Sequence, residues 1–446
     1  MKRSKKLAVA GLVGIVCLGA TYTAAFASDS GEVGEGGNQP SSGQAKNVIF
    51  LIPDGFSQGY TNNYRLYKED GEPIWDERNM LRAFVQTHSA NAEVTDSAAA
   101  GTALATGEKT NNGMIGVTPD GQTLSTILDS AKENGKRTGL VATSTITHAT
   151  PAAFAVSVES RNSFTEIASQ MVANDHIDLM LGGGRTEFVP EDQGGIREDG
   201  VDLISEAEEK GFAFVETARQ LANWNGEEDR LLGLFAEEAL SPAANKRTDE
   251  PSLGEMTEKA IEFLSKEDNG FFLMVEGSQI DWAGHANDAY YAMTDTAAFE
   301  EAVEAAVDFA DENGETLVVM VGDHDTGGMA VHASEEGDPS KLHGVSALGS
   351  DMAAEVERNY SNLKEVLETY TDFEWTEEEL DQLKESDSLE LAINTAISEK
   401  AGVAWSSLDH TGIDVPLYAY GAGAERFSGT IDNTEVPKIM KATLGI

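Results

Sequence analysis

Four short apolar runs stand out in the sequence because each lies next to an acidic residue or a histidine. The runs and their neighbours are 47–53 before Asp54, 271–275 before Glu276, 316–322 before Asp323 and His324, and 415–420 after Asp409 and His410. Unbroken runs of this length are typical of strands buried on both faces of a parallel sheet. In open α/β sheets the ligand crevice lies beyond the carboxyl ends of the strands. The pattern therefore predicts one multi-metal site, although a single acid after a strand commonly only begins a loop.

Strand-like and helix-like segments alternate through the middle of the chain. The predicted strands are 137–143, 177–181, 212–215 and 230–235, and the predicted helices are 164–174 and 253–266. This alternation predicts an α/β fold with a doubly wound, mostly parallel central sheet flanked by helices. Three glycines at 182–184 follow one predicted strand, and we favour a tight turn there over a phosphate-binding loop.

The stretch 334–407 differs from the rest because it is acidic, helix-prone and without sheet-like runs. Its predicted helices are 352–356, 360–369, 377–386 and 389–400. It separates His324 from His410, two of the candidate metal ligands. We therefore predict a peripheral acidic helical insert within one α/β domain that spans 47–446.

A segment rich in small residues, 94–107, contains a candidate nucleophile. Alanines after Ser97 favour a helix, and Thr95, Asp96 and Ser97 would form its start. The unpaired N–H groups at a helix start attract anions. A serine there is commonly only a cap, and no histidine adjoins Ser97 in sequence to serve as a general base. A metal would have to activate its hydroxyl, as the predicted cluster allows.

The N-terminal residues resemble an export signal. A basic start, an apolar stretch at about 7–20 and the triplet Ala25-Phe26-Ala27 predict a signal peptide over 1–27. A retained membrane anchor is the alternative, but the apolar stretch is short for a spanning helix. Residues 28–46, rich in Gly, Ser, Glu and Gln, predict a flexible linker. The signal peptide predicts a periplasmic or secreted protein. Cys17 is the one cysteine and lies within that signal, so the exported chain would hold no disulfide.

The chain is strongly acidic, with 31 Lys and Arg against 77 Asp and Glu and a net charge of −46. Such an excess excludes non-specific nucleic-acid binding, which needs a basic face. It would also repel phosphate esters unless bound cations and Arg161 made the site locally positive. We interpret the charge as adaptation to high salt in a salt-tolerant bacterium, with a merely acidic secreted protein as the alternative.

Six motifs in order give the chain a resemblance to alkaline phosphatases, the metal-dependent phosphomonoesterases. They extend from the first apolar run to the C-terminal region. The motifs are 53–55 (PDG), 95–99 (TDSAA), 148–152 (HATPA) followed by Arg161, 276–285 (EGSQIDWAGH), 323–328 (DHDTGG) and 410–412 (HTG).

The resemblance implies two Zn²⁺ and one Mg²⁺ per chain. The implied ligand sets are Asp281, His285 and His410 for one zinc, Asp54, Asp323 and His324 for the second, and Asp54, Thr150 and Glu276 for magnesium. Mixed His and Asp sets suit zinc, and a set of oxygens suits magnesium.

The resemblance also implies a mechanism. Ser97 would form a covalent phosphoserine, Arg161 would bind two phosphoryl oxygens with Asp96 as its orienting partner, and N–H groups at Ser97 and Ala98 would add hydrogen bonds. The partners implied are small phosphate monoesters and, as a homodimer, a second copy of the chain. Neither nucleic acid nor a membrane is expected as a partner.

Two positions that vary in the family are His148 and Trp282. We expect His148 to lie near the magnesium without binding it, and Trp282, which lacks a charge, to leave phosphate held less tightly; simple packing is the alternative for both. Four further histidines match no ligand position: His88, His176, His332 and His343.

Two other classes of function remain open. A related phosphodiesterase or sulfatase would keep the metals but normally uses threonine or a modified residue as nucleophile. A non-catalytic secreted protein could store metal or phosphate. Ser97 together with Arg161 favours monoester hydrolysis.

Overall fold

The computed structural model of the protein describes residues 44–332 and 338–446. The predicted signal peptide with Cys17, residues 28–43 of the predicted linker and residues 334–337 of the predicted insert lie outside the described residues. Within the described ranges, no helix is both long enough and apolar enough to cross a membrane.

Ten of the strands in the described part of the chain form one central sheet, and four short ones form two separate pairs. The strands are β1 Asn47–Pro53, β2 Leu81–Gln86, β3 Arg137–Thr145, β4 Leu179–Gly183, β5 Phe212–Val215, β6 Arg230–Leu234, β7 Phe271–Gly277, β8 Thr316–Val321, β9 Asp325–Thr326, β10 Ala330–Val331, β11 Val403–Ala404, β12 His410–Thr411, β13 Val415–Gly421 and β14 Thr430–Asp432.

Helices connect most of these strands. They are α1 Gln58–Tyr67, α2 Ile74–Glu77, α3 Ser97–Thr106, α4 Ile127–Glu133, α5 Ala149–Ala153, α6 Phe164–Ala173, α7 Leu203–Glu209, α8 Ala218–Asn223, α9 Leu253–Leu264, α10 Gln279–His285, α11 Ala289–Asn313, α12 Gly349–Glu355, α13 Leu363–Tyr370, α14 Glu377–Glu385, α15 Leu389–Lys400 and α16 Glu435–Leu444.

The central sheet has the order β14-β2-β13-β8-β1-β7-β3-β4-β6-β5. All neighbours in it are parallel except the two pairs made by β13, which runs against β2 and β8. The predicted mostly parallel α/β fold is therefore confirmed. The prediction that 415–420 belongs to a parallel arrangement is wrong, because an apolar run indicates burial on both faces but not strand direction.

Helices cover both faces of the sheet, and β1 shows why its sequence is apolar throughout. All seven of its residues are buried. Ile49 and Leu51 join a hydrophobic cluster with α9 and α11, whereas Val48 and Phe50 join a second cluster with α3, α4 and α16. Alternate side chains of a strand point to opposite faces, so a strand covered on both sides needs apolar residues at every position.

Several elements differ from the sequence-based expectation. The 25-residue helix α11 and strand β2 were not predicted. Within 334–407, the two-residue strand β11 pairs with β10. Gly184, directly after β4, has a φ of 93°. That left-handed conformation agrees with the predicted turn at this strand end.

Candidate active site

Three adjacent parallel strands deliver acids to one edge of the sheet. Asp54 follows β1, Glu276 is the penultimate residue of β7, and Asp323 follows β8 by two residues. Since β8, β1 and β7 are neighbours that run in the same direction, their carboxyl ends meet. Helix α10 follows β7 directly and carries Asp281 and His285.

His410 reaches the same edge because β13 is antiparallel. Leu417 of β13 pairs with Val321 of β8, so the start of β13 lies at the end of β8. His410 precedes that start by a few residues. It is fixed there by the short β9–β12 pair, in which it lies opposite Thr326. Because β13 runs in the opposite direction, His410, which comes before β13, lies beside the residues that come after β1, β7 and β8.

The described residues contain three groups of side chains that could hold a metal ion, and one carboxylate, Asp54, belongs to two of them. The groups are Asp281, His285 and His410; Asp54, Asp323 and His324; and Asp54, His148 and Glu276. In each, the candidate ligand atoms lie within 4.8 Å of one another. The structure thus brings together every residue of the two predicted zinc sets.

The first group has its histidines oriented by backbone carbonyls. His285 Nδ1 lies 2.7 Å from the Leu408 carbonyl, and His410 Nδ1 lies 2.9 Å from the Thr95 carbonyl. A carbonyl only accepts, so each Nδ1 carries a proton and donates it. The Nε2 atoms therefore face Asp281, at 3.4 Å and 3.5 Å from its oxygens.

The pKa shifts in this group show that positive charge beside Asp281 stabilises its carboxylate. Burial alone would raise the pKa of Asp281, but hydrogen bonds with His285 and His410 outweigh it and hold that pKa well below its ordinary value. The same contact raises the pKa of His285 to about 9. Either a proton or a cation must separate a ring nitrogen from the carboxylate, and a divalent metal ion would fulfil that requirement.

The second group is fully buried. His324 Nε2 lies 3.2 Å from Asp323 Oδ2 and 3.6 Å from Asp54 Oδ1. Asp323 is oriented through its other oxygen, which accepts from the Gly55 N–H at 3.1 Å. His324 Nδ1 lies 3.3 Å from the Thr326 hydroxyl oxygen.

The third group agrees only in part with the predicted magnesium set. Thr150 Oγ1 donates to Asp54 Oδ2 at 3.5 Å, so the threonine is present at the edge of the group. His148 Nδ1 lies 3.9 Å from Glu276 Oε1, and its Nε2 lies 3.1 Å from the Arg161 guanidinium. Burial, followed by the charge of Arg161, lowers the pKa of His148 to about 4, so the ring is neutral. A neutral ring that accepts from arginine through Nε2 carries its proton on Nδ1, and that N–H cannot bind a cation.

The buried carboxylates fit cations by their hydrogen bonding as well as by their charge. Asp54 Oδ1, Glu276 Oε1 and Asp323 Oδ2 are buried without a hydrogen-bond donor. Burial, with added repulsion from neighbouring carboxylates, raises the pKa of Asp54 well above its ordinary value. Burial likewise raises the pKa of Glu276 to about 7 and that of Asp323 to about 6. Divalent cations would satisfy these oxygens and offset the repulsion.

Ser97 is the first residue of α3 and lies against the second group. Its Oγ is 3.3 Å from His324 Nε2, and the residue is 1% exposed. Asp96 caps the helix by accepting from the Ala99 N–H at 3.0 Å. Ala98 is fully buried beside Ser97. The first N–H groups of a helix have no partner within it, so those of Ser97 and Ala98 are available as donors at this point.

Arg161 is held by two partners on opposite branches of its guanidinium. NH1 donates to Asp96 Oδ2 at 3.1 Å, and NH2 donates to His148 Nε2 at 3.1 Å. Trp282, half-buried on α10, packs edge-on against His148 with ring centroids 6.0 Å apart. The chain Trp282–His148–Arg161 therefore links the predicted phosphate-binding residues.

Sequence reasoning missed two hydroxyls that orient the acids. Thr326 Oγ1 donates to Asp281 Oδ1, and Ser144 Oγ donates to Glu276 Oε2 at 3.2 Å. Thr326 lies in the 323–328 motif, so its position in the sequence could have indicated a role at the site. Ser144 lies inside an ordinary strand, and no sequence motif marks it.

The remaining histidines belong to none of the three groups. His176 pairs with Asp129 at 2.9 Å, His88 with Asp432 at 3.3 Å, and His343 stacks on Tyr67 with ring centroids 4.2 Å apart. His332 is exposed.

Comparisons with known proteins show which family the chain resembles over its length. The family model for alkaline phosphatase matches residues 45–446. Alkaline phosphatase 3 of Bacillus subtilis is 37% identical over 98% of this chain and 96% of its own length. The crystal structure of a cold-active enzyme from Shewanella superposes with a TM-score of 0.80 at 34% identity, covering 89% of this chain and 99% of that one. A histidine-to-glutamate variant of the enzyme from the Antarctic bacterium TAB5, with magnesium in its M3 site, has a TM-score of 0.69 at 30% identity, covering 90% and 99%.

Proposed function

The chain belongs to the alkaline phosphatase family and hydrolyses phosphate monoesters, and from that premise we propose that Ser97 is the nucleophile at a site of two zinc ions and one magnesium ion. The observation that carries the proposal is the position of Ser97, whose Oγ lies 3.3 Å from a candidate ligand of the second group. A hydroxyl at a helix start beside a metal group is suited to attack on phosphorus.

The reaction follows from what the residues present to a phosphate ester. Ser97 Oγ gives up its proton to solvent and attacks phosphorus, the bond to the alcohol oxygen breaks, that oxygen takes up a proton, and a phosphoserine remains. Water then loses a proton and attacks phosphorus from the side opposite Oγ, the bond to Oγ breaks, Oγ regains a proton, and phosphate leaves. When bound, the metal ions lower the pKa of coordinated hydroxyl and water and neutralise charge on the attacking and leaving oxygens.

Arg161 binds the phosphoryl oxygens through the side of its guanidinium that Asp96 and His148 leave free. Its two contacts at 3.1 Å hold the fork in place before substrate arrives. The N–H groups of Ser97 and Ala98 donate to the same oxygens from the helix start. Trp282 packs against His148 and offers no charged donor, so we expect phosphate to be released more readily than from a site with lysine there.

The donor types support the choice of ions. The first two groups combine carboxylates with histidine nitrogens, which suits zinc. Asp54, Glu276 and Thr150 offer oxygens, which suit magnesium, while His148 is oriented away from a ligand role by its contact with Arg161. The magnesium in the M3 site of the TAB5 variant is a parallel in a similar protein.

We further propose export and self-association. Residues 1–27 would act as a signal peptide and 28–46 as a linker before the domain 47–446, with 334–407 as its peripheral insert. The mature enzyme would be a periplasmic or secreted homodimer adapted to salt.

A substrate comparison tests the proposed function. p-Nitrophenyl phosphate, bis(p-nitrophenyl) phosphate and p-nitrophenyl sulfate share one leaving group, so their kcat/KM values report the preference for the transferred group. We expect the monoester to exceed the other two by orders of magnitude. A higher value for the diester or sulfate, or metal uptake without turnover, would refute the proposal.

Metal analysis tests the cofactor set. Zinc plus magnesium should restore activity to chelator-treated enzyme better than either ion alone. Fully active protein that contains fewer than three tightly bound ions per chain would contradict the assignment.

A further inference from the structure

Residues 94–96 lead into α3 without belonging to any strand of the described chain. Val94 is 39% exposed, so packing alone does not hold this segment. Asp96, the residue that caps α3, has an extended backbone with a φ of −106° and a ψ of 169°. The N–H and C=O groups of an extended segment need partners, which a neighbouring strand ordinarily supplies. Whatever holds this segment also bears on the position of Ser97, which follows it directly.

The side chain of Asn112 supplies such partners. Its Nδ2 donates to the Val94 carbonyl at 3.0 Å, and its Oδ1 accepts from the Asp96 N–H at 3.3 Å. A carbonyl only accepts and a backbone N–H only donates, so the two contacts fix the orientation of the amide. A parallel strand bonds in the same way to the two residues that flank the one opposite it. The Asn112 amide thus takes the place of a strand beside Thr95.

The carbonyl of Thr95 points to the other side of the segment, where it meets His410. Consecutive carbonyls of an extended backbone point in opposite directions, so the bonds to Val94 and Asp96 direct the Thr95 carbonyl away from Asn112. His410 Nδ1 donates to that carbonyl at 2.9 Å. One amide therefore restrains both the carbonyl that orients a candidate metal ligand and the residue that caps α3.

The turn that carries Asn112 is itself held in place. The Asn112 N–H donates to Asn91 Oδ1 at 3.0 Å. The next residue, Gly113, donates its N–H to Asp96 Oδ2 at 2.9 Å, and its carbonyl accepts from the Arg161 N–H at 2.8 Å. The turn is thus anchored to the two residues that hold the proposed phosphate site, and the amide is in place before substrate arrives.

We propose that Asn112 is a positioning residue for phosphoryl transfer: its amide keeps the Thr95 carbonyl on His410 and holds the entry to α3. For catalysis the proposal rests on the proposed role of Ser97, whose place against the metal groups depends on that entry. Asn112 is exposed, so its removal leaves the core intact. Loss of the amide frees 94–96 to rotate, and His410 then loses a fixed partner.

The test follows the Nδ1 protons of the histidines by NMR, in holoenzyme with isotope label in histidine alone. In Asn112→Ala we expect the His410 proton to exchange with solvent about 10-fold faster than in the wild type, because its acceptor is no longer fixed. The His285 proton, bonded to the Leu408 carbonyl at 2.7 Å, should exchange at the wild-type rate and is an internal control. This measurement does not depend on which residue is the nucleophile.

Activity supplies a second readout with a matched control. In Asn112→Ala, kcat/KM for p-nitrophenyl phosphate should fall by about 10- to 100-fold, and added zinc should recover part of the loss. Asn362→Ala is the control, because that amide makes the same pair of contacts, with the Glu355 carbonyl at 3.0 Å and the Glu357 N–H at 2.8 Å. It should keep the kcat/KM and the proton exchange rates of the wild type.

Melting temperature separates positioning from a general loss of stability. Each variant loses one amide and its two contacts, so the two melting temperatures should be alike while kcat/KM differs. Equal exchange of the His410 proton in Asn112→Ala and the wild type would overturn the proposal, as would equal kcat/KM in Asn112→Ala and Asn362→Ala. Substrate phosphate attached to a residue other than Ser97 would refute the proposed nucleophile, and the proton measurement would still decide whether Asn112 holds His410.

Discussion

At the scale of single residues, Thr326 connects two of the candidate metal groups through one hydroxyl. It donates to Asp281 of the first group and lies 3.3 Å from His324 Nδ1 of the second. Because its proton goes to Asp281, its oxygen accepts from the histidine. Such outer contacts fix the orientation of metal ligands and raise their affinity.

Removal of this hydroxyl should therefore weaken metal binding. Thr326→Val keeps the shape of the side chain, and we expect zinc affinity to fall by about 10- to 100-fold. The measurement is the zinc retained against a competing chelator. Thr257→Val, which removes a buried hydroxyl bonded within α9 at 2.7 Å, is the control. Equal retention in Thr326→Val and Thr257→Val would show that the hydroxyl is not needed.

Glu187 gives a prediction about pH. It is 6% exposed, accepts a hydrogen bond from Thr147, and burial raises its pKa to about 7. An acid with a raised folded-state pKa binds its proton more tightly when folded, so stability falls as pH rises from about 4.5 to about 7 and stays lower above that range.

Glu187→Gln should remove this dependence. Relative to the wild type, the free energy of unfolding of the variant should rise across that window, by about 3 kcal/mol at most. Urea unfolding at several pH values measures the difference, in which the shared pH dependence of metal binding cancels. The control is Glu191→Gln, at an exposed position. A difference that stays constant with pH would contradict the role of burial.

At the scale of elements, the sequence predicts strands better than their direction or partners. Apolar runs predicted β1, β7, β8 and β13, because a strand that is buried on both faces needs an apolar residue at nearly every position. They could not reveal that β13 is antiparallel, the feature that brings His410 to the site. Helix α11 escaped prediction because its alanine-rich and acidic sequence has no sharp apolar stripe, and tertiary packing against α9 and the sheet defines its buried face.

The residues of the candidate site could be predicted from the sequence, but some of the contacts between them could not. Motif spacing and family resemblance predicted the residues of the two zinc groups, which the structure brings together. The orientation of His148 and the hydroxyl of Ser144 depend on distances between separate elements. Such distances are set by packing, and no local pattern in the sequence encodes them.

Helix α15, in the acidic stretch, braces the loop that follows His285. Asn394 Nδ2 donates to the Ala286 carbonyl at 2.9 Å, and Ser398 Oγ donates to the Asn287 carbonyl at 3.3 Å. Asn287 has a φ of 48°, an uncommon conformation for a residue other than glycine. Residues four apart on a helix lie on one face, so both contacts act on the same loop.

Asn394→Ala should loosen that loop and the first metal group with it. We expect one zinc per chain to exchange faster with a chelator, while the ion held by Asp323 and His324 exchanges as before. Asn359→Ala, at an exposed turn, is the control. If both zinc ions exchange at wild-type rates, α15 has no part in holding the site.

At the scale of the whole molecule, the net charge of −46 makes stability depend on salt. Repulsion between carboxylates extends about 30 Å at 0.01 M salt and about 3 Å at 1 M. Activity and melting temperature should therefore be retained or raised above about 1 M sodium chloride. A melting temperature that falls steadily from low salt upward would refute the adaptation to salt and leave the phosphatase activity untouched.

The central claim, nucleophilic attack by Ser97, is tested most directly by isolation of the covalent intermediate. The holoenzyme is mixed with substrate labelled in its phosphate, quenched in acid and digested, and the labelled peptide is identified by mass spectrometry. We predict label on Ser97, none on the Ser97→Ala protein and normal labelling of Ser265→Ala, at an exposed serine on the surface. Phosphate attached covalently to the Ser97→Ala protein, or to another residue of the wild type, would contradict the account.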